Sequence, residues 1–332
     1  MLLYLHSFAH LLVDAVCAAA LFGPVAGQED GAWTFLLYNT LAFSTQCLVG
    51  LAADRLRKHR ISAGLAMLAV AAGFVLPLPV LLRVTVVGLG NSVFHVAAGT
   101  EALEHSGGRA APLGVFVAPG AIGVTLGTLF PALGPVLAGL LAATALVSLW
   151  AKEAREAPAD CPPPASGQGN KPLLTAALLT AAVAVRAIGG SSISFPWQLG
   201  TLPVLLTTLF VFAGKTAGGF LCDRMGPVRS AWASVPLAAL LISFFGAWML
   251  PALLGQFALN LTMPITLWLM YKALPEAPGF AFGLAASALW PGTVAGKLIQ
   301  LTGPARWIFL PVCFLFGLAA ILYAAGRKPK TL

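Results

Sequence analysis

The chain is 332 residues long, 59% apolar and 9% charged, with a formal net charge of +8 and a mean hydropathy of +0.89. That balance excludes a water-soluble globule, because there is too little polar surface to clothe one. The excess of Lys and Arg requires no nucleic-acid partner, since cytoplasmic membrane loops collect cations beside anionic headgroups.

Apolar runs near the ~20 residues that a helix needs to cross the hydrocarbon core fall, in chain order, at 3–25, 32–53, 61–80, 83–103, 112–131, 133–151, 172–194, 200–221, 228–250, 252–272, 277–298 and 304–326. They are long and do not alternate, which excludes barrel strands. The first run carries His6, His10 and Asp14. It has no basic leader or small-residue cleavage site, so it is expected to stay as a helix. Most turns between runs are short, which makes sequence neighbours antiparallel. The exception is KEAREAPADCPPPASGQGNK at 152–171, a composition of flexible linkers. The predicted fold is an all-α membrane protein of twelve transmembrane helices in two pseudo-symmetric six-helix bundles. Residues 1–151 form the first half, 152–171 a cytoplasmic linker, and 172–332 the second half with a short tail. The five cysteines include no CxxC pair and point to neither metal nor disulfide.

Orientation follows from the cations. Arg55, Arg57, Lys58, Arg60, Arg109, the linker's Lys152, Arg155 and Lys171, Arg224, Arg229, and the tail's Arg327, Lys328 and Lys330 all fall on one side of such a chain. The opposite side has Gln28, Glu29 and Asp30 with few cations. Positive loops stay inside, so both termini are expected in the cytoplasm, with the protein in the inner membrane.

Two copies of one short motif sit at matching points of the halves. GLAADRLRKHR at 50–60 and GKTAGGFLCDRMG at 214–226 each contain Gly-x-x-x-Asp-Arg: Gly50, Asp54 and Arg55, then Gly219, Asp223 and Arg224, with Gly226 following. An Asp at a helix end, near the positive start of the next helix and beside Arg, can hold an inter-helix contact that breaks when the halves move. With twelve runs and a central linker, the two motif turns resemble the major facilitator superfamily. The first copy has Arg57 where that family usually has Gly. GVFVAPGAIG at 114–123, with Gly114, Pro119 and Gly123, is similar to the Gly/Pro-rich segment of antiporters in the superfamily. GLGNSVFHVAAGT at 88–100 and the run 264–292 resemble the fosmidomycin-resistance type of drug exporter.

Polar residues at membrane depth carry the functional expectation, because a central charge costs about 2.5–3.5 kcal/mol on insertion scales and persists where it faces a cavity or partner. Asp14, Asn91 and His95 fall near the middle of their runs. The resemblance implies that runs one, four, seven and ten line a central cavity. Asp14, His10, Asn91 and His95 would then look inward from the first half, and Arg186 and Asn260 from the second. Glu101, Glu104, His105, Lys215 and Lys297 read as interfacial from their positions near run ends. His6, His10 and Asp14 share one helix face, but three such residues span ~12 Å of axis, too far to ligate one ion. A metallohydrolase is therefore not expected, and no ATP-binding loop is present.

The reading is a secondary transporter of a small organic solute, not an enzyme. It works by alternating access, with protons as coupling ion, Asp14 as carrier, and proton-coupled efflux as the direction. Arg186 tilts the solute toward an anionic or zwitterionic one. No cofactor and no resident metal are expected, and the unit is expected to be a monomer in the bilayer. The alternatives are proton-coupled nutrient uptake and divalent-metal export through His10, Asp14 and His95.

Overall fold

The computed structural model describes residues 2–26, 31–151, 171–299, 301 and 303–326. Of the expected linker only Lys171 lies within them; the remainder, the basic tail and residues 28–30 lie outside the described residues. The regular structure of the described residues is all helix, with no strand.

The helices are α1 (Leu2–Val25), α2 (Gly31–Leu56), α3 (His59–Val75), α4 (Val80–Glu104), α5 (Ala111–Leu129), α6 (Pro131–Trp150), α7 (Lys171–Ser191), α8 (Thr201–Met225), α9 (Pro227–Phe245) and α10 (Met249–Ala273), then α11 (Pro278–Ser287), α12 (Leu289–Ile299) and α13 (Gly303–Ala325). Ten of them are long and apolar enough to cross a membrane by length and composition. With the apolar composition, this makes the protein an integral, multi-pass membrane protein.

Two predicted runs differ, and proline explains both. The run at 61–80 ends early, at Val75, because Leu76 is extended (ψ 148°) ahead of Pro77, as the residue before a proline prefers. The run at 277–298 is two helices meeting at Ala288. Pro291 has no N–H to give to Ser287, and its ring crowds that carbonyl.

Arg57 ends α2 with φ +49°. It is the one non-glycine among the described residues with positive φ. Gly226, three residues after Asp223 as Arg57 is three after Asp54, ends α8 with φ +82°. Both motif turns therefore close on a residue of positive φ, with ψ 33° at Arg57 and 160° at Gly226, and in the first copy an arginine occupies a left-handed conformation that favours glycine. Arg57→Gly is expected to raise stability by about 0.5–1 kcal/mol, the relief of left-handed strain less the entropy of the added glycine. An unchanged or lower melting temperature would contradict this.

Within residues 2–151, α1 packs on α4, α5 and α6, and α3 on α4 and α6. Within 171–326, α7 packs on α12 and α13, and α9 on α10 and α13. Between these stretches the main contacts are α2 with α11 and α5 with α8. Helix α1 is enclosed by its neighbours: Ala9, Val13, Ala15, Val16 and Ala19 have no exposed surface. Its approach to α5 is so close that a Cβ on Gly123 would strike the Leu11 carbonyl, and one on Gly127 the Ala15 carbonyl. Gly123, at the end of the 114–123 segment, thus acts with Gly127 by letting two backbones meet.

Candidate functional site

Inside this close contact the structure gathers His10 and Asp14 of α1 with Asn91 and His95 of α4. His10 Nε2 lies 2.9 Å from His95 Nε2 and 3.3 Å from Asp14 Oδ2, while His95 Nε2 lies 3.4 Å from Asp14 Oδ1. Asn91 Nδ2 reaches Asp14 Oδ1 at 3.4 Å, Tyr38 Oη at 3.2 Å and Cys17 Sγ at 3.4 Å. Both histidines are buried. The cluster needs the glycine that follows Pro119: a Cβ on Gly120 would collide with His10 Nε2 and Asp14 Oδ2.

The outer ring nitrogens fix the protons. His10 Nδ1 is 2.8 Å from the Phe116 carbonyl and His95 Nδ1 is 2.9 Å from the Asn91 carbonyl. A carbonyl only accepts, so each Nδ1 carries the hydrogen. Each neutral ring then turns a bare Nε2 lone pair toward the other, with a carboxylate beside both. Three electron pairs converge with no hydrogen between them. The arrangement is satisfied when one cation enters: a shared proton, making a hydrogen-bonded imidazole–imidazolium pair countered by Asp14, or a metal ion. The three donor atoms all lie within 4.8 Å of one another.

The second stretch contributes differently from expectation. Asn260 donates to the Gln256 carbonyl of its own helix at 2.8 Å and makes no contact with the cluster. Arg186 borders a small cavity with Val183, Val235, Thr262, Thr266 and Phe314. Lys215, which reads as interfacial in the sequence, lies in Coulombic range of both Asp14 and Arg186. Among the described residues neither cation forms a hydrogen bond or ion pair. The signal for Lys215 was its register: eight residues before Asp223 places it ~12 Å along the axis from the motif end.

Glu101 also departs from an interfacial reading. It is buried (8% exposed), with Oε2 3.0 Å from His6 Nδ1, while His6 Nε2 lies 2.9 Å from Ser148 Oγ. His6 thus shares a helix face with His10 and Asp14 but has a partner set of its own. Glu104, farther along α4, lies 3.6 Å from His59.

The motif aspartates form a reciprocal pair of caps. Asp54 accepts from the backbone N–H of Gly279 (2.6 Å) and Phe280 (2.8 Å) at the start of α11. Asp223 accepts from Ala110 (2.7 Å) and Ala111 (3.0 Å) at the start of α5. Each carboxylate meets the positive end of a helix from the other stretch of the chain, not the start of the next helix as the sequence suggests. The motif glycines make room one turn earlier: a Cβ on Gly50 would strike the Gly279 carbonyl, and one on Gly219 the Ala110 carbonyl. Arg55 and Arg224 are exposed, and the cation near Asp223 is Arg109, 3.6 Å away.

No family model matches the sequence, and no curated protein matches it. Solved structures match its fold: it is the fold of the major facilitator transporters. A Major Facilitator Superfamily transporter, FucP, in the outward conformation, aligns over 98% of both chains with a TM-score of 0.72 and 11% identity. A variant of the E. coli fucose:proton symporter FucP aligns over 98% of both with a TM-score of 0.69 and 11% identity. The human organic anion transporter MFSD10 covers 97% of this chain and 98% of its own, with a TM-score of 0.69 and 16% identity.

Proposed function

We propose that this chain is a secondary transporter of a small anionic or zwitterionic solute, moved by alternating access between two six-helix halves, residues 1–151 and 172–332. The halves are joined by the linker 152–171, and both termini are cytoplasmic. The observation that carries the proposal is the His10–Asp14–His95 cluster, which has room for one proton, set opposite the unpaired cations Lys215 and Arg186. The three groups lie within 2.9–3.4 Å of one another, so the coupling proton belongs to the cluster and Asp14 supplies its counter-charge. On the side where α2 meets α11 and α5 meets α8, the aspartate caps hold the halves together and release as they rock. In this reading twelve segments span the bilayer, with α11 and α12 together forming the eleventh.

The fold is shared with a human organic anion transporter, which supports an anionic solute, and the drug-exporter resemblance of 88–100 favours efflux in exchange for protons. Uptake by symport is the second reading, favoured by the shared fold of the fucose:proton symporter.

Arg186→Ala tests the solute class. In proteoliposomes with an imposed pH gradient it is expected to lower transport of anionic solutes about tenfold or more, because an unpaired intramembrane cation persists where a charged partner arrives, and to affect neutral ones little. Equal losses for both would make Arg186 structural and remove the anion assignment.

A further inference from the structure

We propose that His10, Asp14 and His95 also form a binding site for one divalent transition-metal ion, Zn2+ before others. A tetrahedral zinc site has ligand distances of about 2.0–2.1 Å, which puts neighbouring donor atoms about 3.3–3.4 Å apart. Here the two Nε2 atoms are 2.9 Å apart, and each faces a different oxygen of Asp14, at 3.3 and 3.4 Å. Taken as one donor atom per residue, the three lie within 4.8 Å of one another, supplied by two helices, so a small closure of the side chains brings them onto one ion.

The surrounding shell fits as well. A metal-bound histidine presents one nitrogen to the ion and gives its other N–H to a carbonyl or carboxylate, which fixes tautomer and ring plane. Both rings do this, through the Phe116 and Asn91 carbonyls. Asn91 holds the Asp14 oxygen that faces His95. Two imidazoles and one carboxylate suit zinc and its first-row neighbours, whereas Mg2+ and Ca2+ take oxygen donors in larger number. With three protein ligands, the fourth position is open to water or an anionic group. The charged groups facing the cluster are Lys215 and, beyond it, Arg186. They oppose a dication and favour an anion as the fourth ligand.

The ion would sit between the two Nε2 atoms, where the shared proton sits in the metal-free protein, so metal and coupling proton exclude each other and Zn2+ arrests transport. That consequence rests on the transport reading; the binding does not.

The test is calorimetric titration of chelator-washed, purified protein with ZnCl2 and with MgCl2 at fixed pH. One saturable Zn2+ site is expected in wild type, no Mg2+ binding, and at least about tenfold weaker Zn2+ binding in His95→Gln and His10→Gln. X-ray absorption of Zn2+-loaded wild type needs no variant and is expected to show two imidazoles with light-atom ligands near 2.0 Å. Absence of saturable Zn2+ binding in wild type, equal affinity in the variants, or a zinc shell without two imidazoles would each overturn the site. Transport measured in parallel with chelator separates the two ideas. Proton-driven transport without Zn2+ binding removes the metal site alone, and Zn2+ binding without transport removes the transport reading alone.

Discussion

Asp14→Asn is expected to reduce solute movement driven by a pH gradient to background, while solute binding and gradient-free exchange persist. Among the described residues the carboxylate is the one anion touching His10 and His95, at 3.3 and 3.4 Å. An amide keeps the shape but removes the charge. An imidazolium in that buried setting then has no partner, and an uncompensated buried charge costs about 3–5 kcal/mol. The histidine pair then has no counter-charge with which to hold the proton. Proton-driven transport, counterflow and melting temperature measured on the one variant separate coupling from structure. Loss of all three together would make Asp14 a structural carboxylate, and retained proton-driven transport would sink the mechanism.

Asp223→Asn is expected to leave the protein folded in the membrane but to change its turnover severalfold. The carboxylate accepts two N–H groups at the start of α5; an asparagine has one accepting oxygen and turns an NH2 toward the second donor. A lost cap costs about 0.5–2 kcal/mol, and the missing charge at a helix start about 0.3–1 kcal/mol more. These losses fall on the conformation in which the two stretches touch. The equilibrium between the two sides of the transport cycle should therefore shift by about 1–3 kcal/mol, or about 5–150-fold. Asp54→Asn should act alike through α11, and the two effects should add, because the residues share no contact. Unchanged turnover at normal expression would leave both as ordinary charges of the membrane interface.

Much of this molecule could be read from the sequence, since a bilayer demands long apolar helices and tolerates few charges. His10, Asp14, Asn91 and His95 stood out as polar residues at matching depths, and they meet. The limits have physical causes. Hydropathy does not register that Pro77 and Pro291 interrupt backbone hydrogen bonding, so the run at 61–80 is shorter as a helix and the run at 277–298 is two helices. Depth along a helix says nothing of azimuth or partner, so the bond from the Asn260 amide to the Gln256 carbonyl of its own helix is not legible in the sequence. Glu101 and Lys215 sat near run ends and read as interfacial, yet one is buried against His6 and the other lies toward Asp14. The partners of Asp54 and Asp223 are peptide N–H groups, which no residue letter announces.

That last feature bears on how such a chain can arise and drift. A lock whose receiving part is backbone offers the same N–H groups whatever side chain stands there, and what substitution can erase is the aspartate or the room around it: a Cβ on Gly279 would press on Asp54 Oδ1 and the Gly50 carbonyl. Residues up to 151 carry one key, Asp54, and one keyhole, the start of α5; those from 171 carry Asp223 and the start of α11. A half-length ancestor bearing one of each would already have been complementary to its own copy, as a two-fold self-pairing surface requires. Joining two such copies end to end would have needed no new contact.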